Sequence, residues 1–194
     1  MPESETKLIV ISAPSGGGKT TLCQRLLRDF PQLTLSISST TRPPRKNEVH
    51  GKDYFFISQE EFKRQAHAGR FAEWALVHGN YYGTSKDVID QAFSQWKSVL
   101  LDIDVQGAQS LREAYPGRCH SVFVAPPSLD ELEARLRARG TDTEETIQKR
   151  LRNAQLELTK SGEFEATIIN DNLDRAYEEL KNQVGKWLST NKQP

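Results

Sequence analysis

Gly16-Gly17-Gly18-Lys19-Thr20 places three residues without side chains directly ahead of an ammonium and a hydroxyl. Glycines let a backbone fold around an anion with its N–H groups turned inward. With Ala13, Pro14 and Ser15 in front, the run meets the pattern GxxxxGK[ST] except at its first position, where Ala13 replaces glycine. A methyl group there removes no backbone N–H, so the cradle is retained. Lys19 can reach the β- and γ-phosphates of a nucleotide, and the Thr20 hydroxyl can ligate Mg²⁺. A helix opening near Lys19, with Thr20 and Thr21 in its first turn, adds its positive dipole end. A plain glycine turn has no need of Gly-Lys-Thr in that order behind a buried strand, so residues 13–21 are expected to bind the phosphates of a nucleotide.

Acids and further cations complete the inventory. Asp102 closes the apolar run Val99-Leu100-Leu101, and Asp104 follows two residues on. If the strand continues, both carboxylates lie on one side, at the sheet edge where open α/β sheets bind ligands. Asp102 is expected to serve Mg²⁺, through water. Arg42 and Arg45 flank Pro43-Pro44 and present rigid forks to a phosphate, and Tyr54 and Tyr82 add neutral hydroxyl donors. Arg135, Arg137, Lys149 and Arg152 read as a solvated helical face. Trp74, Trp96 and Trp187 read as packing residues. Cys23 and Cys119 form no CxxC pair and are expected as buried thiols. His50, His67, His78 and His120 lack metal-ligand spacing, so zinc is not expected.

These groups need a frame to hold them. Strands are expected at 8–12, 33–38, 53–57, 71–77, 99–102, 121–125 and 166–170. Helices are expected at 19–30, 86–95, 143–160 and from Leu173 onward, where Leu173, Ala176, Tyr177, Leu180, Val184, Trp187 and Leu188 share one face. Ser58 with Glu61 forms a capping box that opens a helix, and Ser128 with Glu131 caps another that ends near Gly140. Residues 79–83 suggest a tight turn. Strand-helix alternation argues for an α/β fold with a parallel sheet flanked by helices. Residues 38–86, rich in Tyr, Phe and turn residues, break that rhythm as an inserted lobe would.

The chain has 194 residues, enough for one domain with a full core. Lys plus Arg number 26 and Asp plus Glu 26, so no global field draws in a nucleic acid. No run approaches the roughly 20 apolar residues of a membrane span. Residues 1–7 hold two Glu and no basic segment, so a signal peptide is not expected and a cytoplasmic location is.

A longer pattern narrows the chemistry. Thr40-Thr41-Arg42, Arg45, Glu48, Gly51, Tyr54 and Phe56-Ile57 resemble the signature of the guanylate kinases. Phe71-Ala72-Glu73-Trp74, Gly79-Asn80-Tyr81-Tyr82-Gly83-Thr84 and Leu101-Asp102-Ile103-Asp104 are similar to that family in its order. So are Ala125-Pro126-Pro127-Ser128, Arg139-Gly140-Thr141 and Lys149-Arg150-Leu151. The resemblance implies a P-loop core (1–37, 87–136 and 156–194), a mixed α/β nucleoside-monophosphate lobe (38–86) and a helical lid (137–155). It implies ATP, held on residues 13–21, and GMP as substrates, with Mg²⁺. It places Arg42, Arg45, Tyr54 and Tyr82 on the GMP phosphate, and Ser38, Glu73, Thr84 and Asp104 on the guanine. Lys19, Arg42, Arg139 and Arg150 are the implied catalytic cations, the last two reaching from the lid. A peptide-binding relative without catalysis would not need the intact Gly16–Thr20 run or the arginine pair. A P-loop kinase acting on a phosphorylated sugar would have no use for a guanine reader. The sequence assigns no oligomeric state.

Overall fold

The segment Leu8–Ser12 is buried at every position, as a strand covered on both faces must be. Its alternate residues feed two cores. Ile9 and Ile11 join one apolar cluster, and Leu8 and Val10 join the other. The computed structural model describes residues 6–77, 79–138, 140 and 142–189. Arg139, assigned above to the lid, lies outside the described residues, as do His78 and Thr141.

In chain order, β1 (Leu8–Ser12), α1 (Lys19–Asp29) and β2 (Leu33–Leu35) precede β3 (Ser39–Thr40), β4 (Phe55–Phe56) and α2 (Gln59–His67). Next come β5 (Phe71–Val77), β6 (Asn80–Ser85), α3 (Lys86–Ser94), β7 (Ser98–Asp102), α4 (Val105–Ala114) and β8 (Cys119–Ala125). Then follow α5 (Leu129–Ala138), α6 (Glu144–Leu158), a 3-10 turn at Ser161–Glu163, β9 (Ala166–Ile169) and α7 (Leu173–Ser189).

Five strands form a parallel sheet in the order β2-β7-β1-β8-β9. α1 and α7 cover one face through Leu22, Leu26, Ala176 and Leu180. α3 and α4 cover the other through Ile89, Ala92, Ala108 and Leu111. A second, mixed sheet runs β4-β3-β6-β5, with β3 parallel to β4 and its other pairs antiparallel. α5 and α6 hold a small cluster of their own, Leu132, Leu136, Ile147 and Ala154.

Several local expectations are corrected. The strand expected over 33–38 is cut at Leu35, and Ser39–Thr40 joins the second sheet, because the chain leaves the core there. The strand expected over 53–57 is two residues long. Residues 80–85 are strand rather than turn: Gly79, at φ 84°, supplies the left-handed residue, and Tyr81 and Tyr82 pair with β5. Ser58 accepts from the Glu61 N–H, but the Glu61 carboxylate turns to Arg64 and Gln65, so half of the capping box forms. α4 was not anticipated. Its buried positions are few, Gly107, Ala108 and Leu111, which blurs the apolar stripe.

Trp187 is buried, and Trp74, though 49% exposed, packs edge-on against Phe62 and Tyr81 as expected, whereas Trp96 is 62% exposed, against the packing role expected of it. β5 alternates, so an inward Glu73 forces Trp74 outward. Trp96 sits at φ 57° just past α3, where the Trp96 and Lys97 N–H groups bond back to Phe93 and Ala92 carbonyls. That Schellman closure holds the indole off the core.

Candidate active site

β1 ends where the glycine loop begins, and β7 ends beside it in Asp102. Between these strand ends and the second sheet lies a cavity of about 360 Å³. Residues 13–21 form one wall. Ser38, Tyr54, Glu73 and Tyr82 form the opposite wall, with Asp102, Asp104 and Glu157 at the floor and side.

The loop is shaped by its glycines. Gly16 and Gly18 take φ of 99° and 89°, where a side chain is strained. A Cβ on Gly18 would come within 2.4 Å of Asn170 Nδ2. That same amide donates to the Gly17 carbonyl at 2.7 Å, and Asn170 is buried. In a trans peptide, C=O and the next N–H point opposite ways. Fixing the Gly17 oxygen on Asn170 therefore aims the Gly18 N–H to the other side of the loop. No side chain caps the start of α1, so its first N–H groups are left for a ligand. Ala13 borders the cavity and packs against the core, so its methyl serves packing and the nest stays open.

Lys19 Nζ lies 2.6 Å from Asp102 Oδ1 and donates to the Ile103 carbonyl at 3.1 Å. Burial works against its charge, but Asp102 outweighs this and holds the ammonium above its ordinary value. Thr20 and Thr21 are exposed on the cavity wall beside it.

The opposite wall is built from side chains. Glu73 and Thr84 are register partners on β5 and β6. The Thr84 hydroxyl donates to Glu73 Oε1 at 2.6 Å, and both residues are buried. Burial pushes the Glu73 carboxyl up to about 7, with the Thr84 hydrogen bond opposing and Asp104 adding to the rise. Thr84 thus stands behind Glu73 and does not line the cavity. Asp104 does line it, but not from a continuing strand. β7 stops at Asp102, and Asp104 is the N-cap of α4, its Oδ1 accepting from the Gly107 N–H at 2.8 Å.

Arg42 lies behind the two tyrosines. Its Nε donates to the Tyr82 hydroxyl at 3.2 Å, and its guanidinium sits 5.5 Å from the Tyr54 ring centre. Glu48 holds the other side of the guanidinium at 2.9 Å and also accepts from the Arg45 N–H at 2.8 Å. One carboxylate thus ties both arginine positions of the loop together. The Arg45 side chain is exposed and does not line the cavity. From α6, Arg150 pairs with Asp142 at 3.1 Å and reaches the Ser15 hydroxyl at 3.4 Å, so it already touches the phosphate loop.

Lys149 and Arg152 are exposed as expected, and Arg137 pairs on the surface with Glu133 and Glu144. Arg135 departs from the solvated face and donates to the Asn170 carbonyl at 2.9 Å.

Three contributors escaped the sequence reading. Asn170 closes the apolar strand β9 much as Asp102 closes β7, so a polar strand end was the available signal. Glu48 stands in the Thr40–Ile57 motif, but its spacing from Arg42 and Arg45 does not show that it holds both. Glu157 enters the cavity from α6, and burial pushes it up to about 7, opposed by Lys19 and reinforced by Asp104. One acid among many on a polar helix carries no local signal.

A parallel sheet whose first strand runs into a glycine nest at a helix N-terminus, with an acid ending the neighbouring strand, defines a P-loop nucleotide-binding protein. The sequence profile described as Guanylate kinase matches residues 5–186. A guanylate kinase of Nitratidesulfovibrio vulgaris is 55% identical over 174 residues, 90% of this chain and 84% of that protein. One of Geobacter sulfurreducens is 47% identical over 180 residues, 93% of this chain and 88% of its own length. The crystal structure of guanylate kinase from Anaplasma phagocytophilum superposes with a TM-score of 0.79 at 30% identity, covering 97% of this chain and 89% of that one. The chain belongs to the guanylate kinase family.

Proposed function

We infer that this chain transfers the γ-phosphoryl group of ATP to GMP, giving ADP and GDP, and that the two substrates meet in the cavity between the two sheets. The observation that carries this reading is that one cavity joins a glycine nest and Lys19 to a buried carboxylate, Glu73.

The ATP phosphates rest on the N–H groups of residues 13–21. Lys19, which pairs with Asp102, turns to the β- and γ-phosphates. Thr20 and Asp102 offer hard oxygen ligands on the same wall, which suits Mg²⁺, with Asp102 acting through water. When bound, that ion neutralises charge on the phosphates. Arg42, Tyr54 and Tyr82 receive the GMP phosphate, and Arg45 folds in from the same loop. Arg42 is already oriented by Glu48, so little ordering remains on binding. Arg150 approaches the transferring group from α6, and Arg139 is given the same role by the family resemblance alone. The protein aligns the reactants and balances charge, and it supplies no nucleophile.

Guanine presents N1–H and N2–H₂ side by side, and the Glu73 carboxylate accepts from both. Adenine has an unprotonated N1 and no 2-amino group, leaving a buried carboxylate without partners. Ser38 lines the wall and donates toward guanine O6, and Asp104 adds an acceptor beside it. Thr84 orients Glu73 by its hydrogen bond.

Residues 38–86 and 137–155 close over the substrates as lobe and lid, excluding water that would otherwise accept the phosphoryl group. Ile147 and Ala154 of the lid pack on Leu132 and Leu136 of α5, so α5 is the part of the core on which the lid is seated. We place the enzyme in the cytoplasm, where its substrates are available and its thiols, Cys23 and Cys119, stay reduced. A coupled assay of ADP release with GMP, AMP, CMP and UMP tests the reading. Rapid turnover with GMP alone is expected, and equal turnover across the four would overturn it.

A further inference from the structure

The Glu73 carboxylate crosses from β5 to α4 and ends over a glycine. A Cβ built on Gly107 would lie 2.5 Å from Glu73 Oε2, 3.0 Å from its Cδ and 3.3 Å from Asp104 Oδ1. No other residue type leaves that space. Gly107 is a buried, helical residue in the first turn of α4, where glycine is a poor helix former and alanine the best. Its φ is not among the positive ones, so its backbone does not require glycine. The local preference for alanine is overridden by something outside the helix, and among the described residues the one contact closer than 3.0 Å belongs to Glu73.

We propose that Gly107 is a specificity-determining position, whose missing side chain lets Glu73 hold its carboxylate edge toward the guanine. One oxygen is fixed by the Thr84 hydroxyl at 2.6 Å. The other occupies the hollow over Gly107. A methyl there forces Oε2 away while Thr84 retains Oε1, so the carboxylate rotates and two parallel acceptors no longer face two adjacent donors. The end of a Glu side chain is the flexible partner in this clash. The fold therefore tolerates the change, and recognition is what gives way.

This inference rests on the reading of Glu73 as the guanine acceptor, and the experiment separates the two. Gly107→Ala, Glu73→Ala and the double variant are compared with the parent for thermal midpoint, KM of GMP and ATP, and the GMP-to-AMP ratio of kcat/KM. Gly107→Ala is expected to keep or raise the midpoint. It should raise the KM for GMP about tenfold or more, lower the ratio, and leave the KM for ATP within about twofold. In the Glu73→Ala background it should have no further effect on GMP, because the group it displaces is gone. If Glu73→Ala collapses the ratio but Gly107→Ala leaves GMP kinetics unchanged, the inference is overturned and the reading of Glu73 stands. If Glu73→Ala leaves the ratio intact, guanine is read elsewhere and both are overturned. Should Gly107→Ala fail to fold, folding of the double variant upholds the constraint through Glu73. Failure of both assigns Gly107 to helix packing and overturns the inference.

Discussion

The two ends of the cavity are made of different material. The phosphate end is backbone: glycines at positive φ, uncapped N–H groups at the start of α1, and one amide, Asn170, fixing a carbonyl from behind. The acceptor end is side chain: Glu73, Ser38 and two tyrosines from the second sheet and the loop before it, with Arg42 oriented by Glu48. A backbone nest recognises any phosphate chain, so selectivity has to come from the end built of side chains. Backbone geometry is fixed by the fold, whereas each side-chain acceptor depends on one or two supporting contacts.

The largest effect should come from the one side chain that the phosphate end cannot replace. Lys19→Met should remove turnover by a hundred- to a thousandfold, about 2.7–4 kcal/mol of barrier, as loss of a single transition-state donor does. Circular dichroism should be unchanged. Near-normal kcat would show that the nest alone neutralises the transferring phosphate.

Asn170→Ala should come next. It frees the Gly17 carbonyl and loosens the nest, raising the KM for ATP by about tenfold, the worth of one buried hydrogen bond. The KM for GMP should hold. If both rise together, the two ends are not separable in the way described.

Glu48→Gln should be milder. It keeps the shape but removes the charge that orients Arg42, so the KM for GMP should rise a few-fold, about 1 kcal/mol for a half-buried pair, with ATP unaffected. An unchanged KM for GMP would mean that Tyr82 alone aims Arg42.

How much of this was legible in the sequence follows the same division. A nest needs glycine, so Gly16-Gly17-Gly18-Lys19-Thr20 wrote its own geometry, and β1 and α1 lay where the pattern put them. The acceptor end offered one acid in an apolar strand, Phe-Ala-Glu-Trp-Ala-Leu-Val, and only the family resemblance singled it out. Period two puts Glu73 and Trp74 on opposite faces of the second sheet, so Glu73 meets the cavity while Trp74, half exposed, packs edge-on against Phe62 and Tyr81. Asp104 was found for the right edge and the wrong reason, because α4 and its cap were not seen. Contacts distant in sequence, such as Asn170 with Gly17 and Gly107 with Glu73, leave no periodic trace at all.

Glu73 also makes the acceptor end sensitive to pH. Burial sets its carboxyl near 7 before GMP binds, and the guanine donors require the ionised form. For GMP, kcat/KM should therefore fall as pH drops below about 7, a limb absent in Glu73→Gln and retained in Glu157→Gln. The sign for stability is opposite. A carboxyl raised above its ordinary 4.5 holds its proton more tightly when folded, so its contribution is present below about 4.5 and lost as pH rises through about 7. A limb that survives in Glu73→Gln would assign the titration to another group.

The GMP-to-AMP ratio of kcat/KM, measured for the parent and for Glu73→Gln, tests the central claim most directly. Gln keeps one acceptor but turns an N–H₂ against the second guanine donor. The account predicts a large fall for GMP, little or no fall for AMP from a low starting value, and hence a collapsed ratio. A ratio equal to the parent's would contradict it, placing the reading of guanine outside the buried carboxylate.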